Sequence, residues 1–143
     1  MSLEPNQRSI LLRILAPLHA NAVENLAVPG YPDIEFIGGT IECKSANKWP
    51  RGEKTVLTEG VDKKHFTPQQ RVWAIKRCRA QGFHCVCLKV DQDWFMLSGE
   101  VAAKHLGIDW TRQDIIDESS AKWLGGLDKN EFYTFIIENR CDF

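Results

Sequence analysis

A chain of 143 residues and 16.3 kDa is long enough for one domain burying roughly 70% of its unfolded surface, and too short for two full ones. With 43% hydrophobic and 26% charged residues, the composition excludes collagen-like, disordered and disulfide-scaffold classes. Net charge is −1, which argues against a generally basic nucleic-acid coat, and no apolar run reaches the ~18 residues of a membrane span.

The leading MSLEPNQR has no apolar signal core, so the reading is a soluble protein in a reducing, cytoplasmic compartment. The five cysteines are odd in number and contain no CxxC pair, so neither a disulfide framework nor a zinc ribbon is expected. Cys85 and Cys87 read as small core residues on one side of a strand. The four histidines lack metal-ligand spacing and are taken as structural.

In chain order, Ile10, Leu11, Ile14, Leu15 and Leu18 predict a helix that Pro17 ends or kinks. A short strand is allowed within 20–28. YPDIEFI (31–37) and TIECKS (40–45) alternate, and Gly38-Gly39 between them predicts a two-residue hairpin turn. Residues 46–66 hold no period and predict a long functional or mobile connection. Thr67-Pro68-Gln69-Gln70 has the form of a helix start, and the helix should run to Gln81 and close at Gly82.

HCVCLKV (84–90) and DWFML (93–97) read as strands around an aspartate-rich turn. Beyond Ser98 the pattern is helical and acidic: EVAAKHL closes at Gly107, and a final helix is capped by Asp128 with Glu131 as the capping-box partner. The whole is a mixed α/β domain with a central sheet.

Charge is distributed unevenly. The segment Lys44–Arg79 carries a net +7 and the remainder −8, an asymmetry that suggests a polyanion on one side of the molecule; a merely solvated basic face accounts for the same numbers.

With Gly38-Gly39 as the turn, Asp33 faces Lys44 and Glu35 faces Glu42, all on one side of the hairpin. Asp33 and Glu42 could then jointly hold one hard divalent cation beside Lys44, a combination suited to phosphodiester hydrolysis. A wet hairpin face with alternating charges produces the same pattern.

Pro32-Asp33, an eight-residue interval and Glu42-Cys43-Lys44 reproduce the PD-(D/E)XK signature. Together with VEN at 23–25, GYPDIEF, TIECK and TPQQRVW, this resembles the small stand-alone nucleases of the VRR-NUC type and their phage relatives, over about residues 19–97. The resemblance implies a restriction-endonuclease-like αβββαβ core with a helical C-terminal extension from about residue 98. It implies a Mg²⁺-dependent DNA endonuclease, with Mn²⁺ able to substitute, in a bacterial or phage-infected cell.

Within that resemblance Asp33 and Glu42 are metal ligands, the Cys43 backbone carbonyl is a further ligand, Lys44 is the catalytic lysine and Glu24 is the additional acid. Gln70 aligns with a glutamine that points toward the active site, although a Thr67–Gln70 capping box explains it equally well. Glu35 matches no position of the motif. Gln70, Trp73 and Arg77 fall on one helical stripe.

Lys48, Trp49, Arg51, Lys54, Lys63, Lys64 and Arg77 are the candidate DNA contacts, with Trp49 as an exposed stacking platform. Relatives of this kind suggest branched DNA, such as a Holliday junction, cut by a homodimer. Site-specific duplex cleavage and a non-catalytic nucleic-acid-binding module are the alternatives. The acidic tail is expected to cover the sheet or form a dimer surface.

Overall fold

The computed structural model describes residues 6–25 and 27–141; positions 1–5 of the leading segment and Leu26 of the 20–28 segment lie outside the described residues. The elements are α1 (Gln7–Ile14), β1 (Asn21–Ala22), β2 (Ile34–Phe36), β3 (Gly39–Ala46), α2 (Pro68–Arg79), β4 (His84–Val90), β5 (Asp93–Ser98), α3 (Gly99–His105), α4 (Arg112–Glu118), β6 (Ala121–Trp123) and α5 (Lys129–Asn139). The fold is mixed α/β, and its first six elements follow the expected order αβββαβ.

The six strands form one sheet in sequential order, antiparallel throughout except that β3 and β4 run parallel. A parallel pair needs a crossover, and α2 supplies it after the long 47–67 connection.

Asn6 caps α1 by accepting from the Ser9 amide at 2.8 Å. Pro17 sits in a short 3₁₀ turn, Ala16–Leu18, that follows the α-helix, so the apolar period ends as a tightened turn. Thr67 caps α2 with a complete capping box. That helix stops at Arg79, and its left-handed exit residue is Gln81 (φ 67°) in place of the expected Gly82.

Two apolar layers sandwich the sheet. On one face Leu11 of α1, Leu15 at its C-terminal cap, and Phe132 and Ile136 of α5 pack on Ile34, Ile41, Cys85 and Cys87. On the other, α2, α3 and α4 cover Val86, Leu88, Phe95 and Leu97. Burial pushes the Cys87 thiol up to about 12 and Cys85 higher still, as expected for inert core cysteines.

The segment after Ser98 is more than a helical extension: Ala121–Trp123 adds an edge strand to the sheet. Asp128 caps α5 through the Glu131 amide, but the Glu131 carboxylate accepts from Trp123 Nε1 at 2.8 Å instead of closing the capping box. The side chain is more valuable there, because an indole N–H at the sheet edge otherwise lacks an acceptor.

The 46–66 connection is anchored. Leu57, Val61 and Phe66 lie in the core under α2 and α3, and Val56 bridges Thr111. Gly60 (φ 73°) presses on β3 so closely that a Cβ there would sit 1.9 Å from the Ser45 carbonyl oxygen.

Candidate metal and phosphate site

The β2–β3 hairpin has Glu35 opposite Thr40 and Phe36 opposite Gly39, so the turn residues are Ile37 and Gly38, one position earlier than expected. Gly38 takes the left-handed conformation (φ 104°), and Gly39 stays in the ladder, where a Cβ would strike the Phe83 and Phe36 rings. The pairing moves by two residues, so every side chain keeps its face. Extended one step, the register sets Asp33 opposite Glu42, not Lys44, and leaves Glu35 exposed beside Thr40.

Asp33 lies across the hairpin from Glu42, whose side chain stands on the face of β3 that α2 covers. Asp33 Oδ2 also accepts from the Cys43 amide at 2.8 Å, which fixes the carboxylate to its own hairpin. Glu42 is 3% exposed, and burial, reinforced by Asp33, raises its carboxyl to about 9 against the opposing pull of Lys44. Burial therefore favours the protonated form of Glu42 at neutral pH.

Lys44 is 8% exposed, with Nζ 3.4 Å from Glu42. The ammonium donates to Gln70 Oε1 at 3.0 Å and to the His65 carbonyl. Gln70 Oε1 also accepts from the Thr67 amide at 3.0 Å. The two sequence readings of Gln70 thus describe one oxygen serving both partners.

Other residues expected here are elsewhere. Glu24 is exposed in the loop after β1, and among the described residues no group of three His, Cys, Asp or Glu side chains comes together as a metal cage. Its position is displaced because β1 ends at Ala22, and only the backbone of Val23 continues toward Asp33 (N to O 2.9 Å).

Trp49 is not an exposed platform. Its Nε1 donates to Asp93 at 2.8 Å and its ring packs edge-on to Phe95, with Arg112 against its face. Lys48, Arg51, Lys54, Lys63 and Lys64 are exposed. Lys54 lines a cleft with Arg112 and Gln113. Arg77 is exposed and stacks on Trp73, centroid distance 4.5 Å, while Trp73 lies half-buried between Tyr31 and His84.

Sequence reasoning missed two contributors, His65 and Arg71, and read a third residue, His84, correctly as structural. His65 acts through its backbone carbonyl, for which no side-chain pattern exists. Arg71 is buried among carbonyls, and the spacing from Gln70 gave no hint of it. His84 is a buried core histidine bonded to Thr40 at 2.9 Å; burial lowers it to about 4, so it stays neutral.

The donor set tests whether a metal suits this place. In an extended strand the N–H and C=O of one residue point the same way, so the Cys43 carbonyl faces the same side as its amide, toward Asp33. Two carboxylates and a carbonyl form an all-oxygen set of the kind a small hard cation takes while keeping several waters. Burial and the neighbouring Asp33 both disfavour the ionised Glu42, and a cation bound between the two carboxyls would offset both effects. These are the donors that Mg²⁺ would take, with only two carboxylates among them. No protein-family model and no curated protein matches the chain.

Proposed function

We propose that this protein is a divalent-metal-dependent endonuclease that hydrolyses phosphodiester bonds in DNA. The observation that supports it most is the triad on β3 and its hairpin partner: Asp33 opposite Glu42 and bonded to the Cys43 amide, with the Lys44 ammonium 3.4 Å from Glu42. Placing a second carboxyl across from the buried Glu42 disfavours ionisation of the pair, and a purely structural hairpin has no use for it.

Asp33, Glu42 and the Cys43 carbonyl would hold Mg²⁺ or Mn²⁺. When bound, the ion supplies Lewis-acid polarisation of a phosphoryl oxygen and acidifies water. Asp33 keeps its orientation through the Cys43 amide. Lys44, fixed by Gln70 and the His65 carbonyl, presents positive charge where negative charge develops on the phosphoryl group in the transition state. Lys48, Arg51, Lys54, Lys63 and Lys64 lie exposed on the connection that leaves β3 and hold phosphates along the strand.

Branched DNA cut by a homodimer is the substrate geometry we assign. It follows from the resemblance of the hairpin motif to small stand-alone nucleases, and the charge division fits it to the extent that positive charge is concentrated in the Lys44–Arg79 segment that would meet DNA. Glu24 stands apart from the carboxylate pair, which favours the competing reading of a binding module without catalysis.

Nicking of supercoiled plasmid separates these readings. Cutting with Mg²⁺ or Mn²⁺ that stops with EDTA is the expected result. Metal-independent cutting, or DNA retention without cutting under every divalent ion, would end the proposal. Faster paired cuts on a cruciform plasmid than on linear duplex are expected for the junction assignment.

A further inference from the structure

The geometry points to Arg71 as the positioning residue for the Lys44 ammonium. Arg71 is buried, yet its guanidinium is paired with no carboxylate among the described residues: Nε donates to the Phe66 carbonyl at 2.9 Å, one terminal nitrogen to Ala103 at 3.1 Å and the other to Val61 at 3.0 Å. A buried cation without a counter-ion is costly, and an apolar side chain would fill the same space more cheaply. What the guanidinium adds is a rigid fork that can hold carbonyls from separate segments at once.

Those carbonyls belong to the turn that holds Lys44. The consecutive carbonyls of His65 and Phe66 are divided between two cations: His65 accepts from Lys44 Nζ, and Phe66 accepts from Arg71. Both cations also lie against the Phe66 ring, Arg71 at 4.2 Å and Lys44 at 5.4 Å from its centroid.

Val61 fixes the other end of the turn, and Ala103 fixes it to α3. Arg71 follows Gln70 in the first turn of α2, so one helix start provides both the direct acceptor of Lys44 and the clamp on its second acceptor. Arg71 touches no substrate; it acts through the 61–66 turn on Lys44. Its consequence for catalysis rests on the nuclease reading, whereas its hold on Lys44 does not.

The test reads both levels separately in the full chain. Arg71→Lys keeps the charge but offers one nitrogen in place of a fork. Limiting acetic anhydride followed by peptide mass spectrometry measures the reactivity of Lys44, with Lys63 and Lys64 as internal references. In Arg71→Lys, Lys44 should acylate about tenfold faster, the change expected when one hydrogen bond to a charged group is lost.

Arg71→Gln, which keeps a single donor nitrogen for the carbonyls without the charge, should raise Lys44 reactivity in the same direction and serves if Arg71→Lys fails to fold. In Mg²⁺-dependent plasmid cleavage, Arg71→Lys should lower kcat with KM unchanged. A folded Arg71→Lys or Arg71→Gln protein whose Lys44 reacts as in the wild type overturns the assignment. Faster acylation together with a wild type that cuts no DNA supports the positioning role and overturns the nuclease reading instead.

Discussion

The side-chain oxygen of Gln70 lies 3.0 Å from Lys44 Nζ and 3.0 Å from the Thr67 amide, so the start of α2 and the ammonium of β3 are held by one atom. Removing it affects both. Gln70→Ala should lose ~1 kcal/mol of stability, the usual worth of a cap interaction, and should also lower the cleavage rate. Thr67→Ala should lose a similar stability with a smaller effect on rate, because Lys44 keeps its acceptor. Thermal melts and single-turnover cleavage of the two variants make the comparison; equal rate losses in both would reduce Gln70 to a cap.

The Asp33–Glu42 pair predicts how metal-free stability depends on pH. Glu42 holds its proton up to about 9 when folded, against 4.5 for the free side chain. The folded state therefore binds the extra proton, and its contribution is complete below 4.5 and lost as pH rises toward 9. The slope is at most about 1.4 kcal/mol per pH unit. In EDTA the melting temperature should fall across that window, and Glu42→Gln should flatten the fall. Mg²⁺ should restore stability at the alkaline end, where the ion replaces the proton. Asp33→Asn and Glu42→Gln should both abolish cutting while remaining folded.

Lys44→Met should reduce turnover by about 10² or more with DNA affinity nearly intact, as expected of a group that acts on the transition state. Fluorescence anisotropy and cleavage assays measure the two quantities. A parallel fall in both would make Lys44 a phosphate anchor.

The exposed lysines divide by position. Lys63 and Lys64 precede His65, whose carbonyl holds Lys44, whereas Lys54 lines a cleft with Arg112 and Gln113. Neutralising any two contacting lysines should lower the slope of log affinity against log salt by up to ~1.8, at roughly 0.9 per lost contact. Lys63→Gln with Lys64→Gln should also slow cleavage more than Lys48→Gln with Lys54→Gln. Salt titrations and rates on one duplex decide it.

The hairpin, the α2 start and the strands at 84–97 are legible in the sequence because each rests on a local rule: alternation, a capping box, or apolar runs around a turn. The turn position was not, since Gly38 and Gly39 look alike locally, and only the Phe83 ring packed against Gly39 decides which of them stays in the ladder. Asp33, Glu42 and Lys44 were identified correctly as sharing a face, and their mutual pairing was displaced with the turn. Trp49 and Glu131 were misread for a related reason: each hydrogen-bonds a partner set by sheet pairing, Asp93 and Trp123, which sequence spacing does not encode. The edge strand Ala121–Trp123 is three residues long and carries no period of its own.

The stapling of Leu57, Val61 and Phe66 into the core bears on how the basic connection meets a ligand. A free loop of this length would have to be ordered on association, and that entropy would be subtracted from the electrostatic attraction. Here the lysines ride on a backbone already fixed by folding, so only their side chains lose freedom. Association with a polyanion should then show a small heat-capacity change, dominated by counterion release, without the large negative value of a segment that folds as it binds.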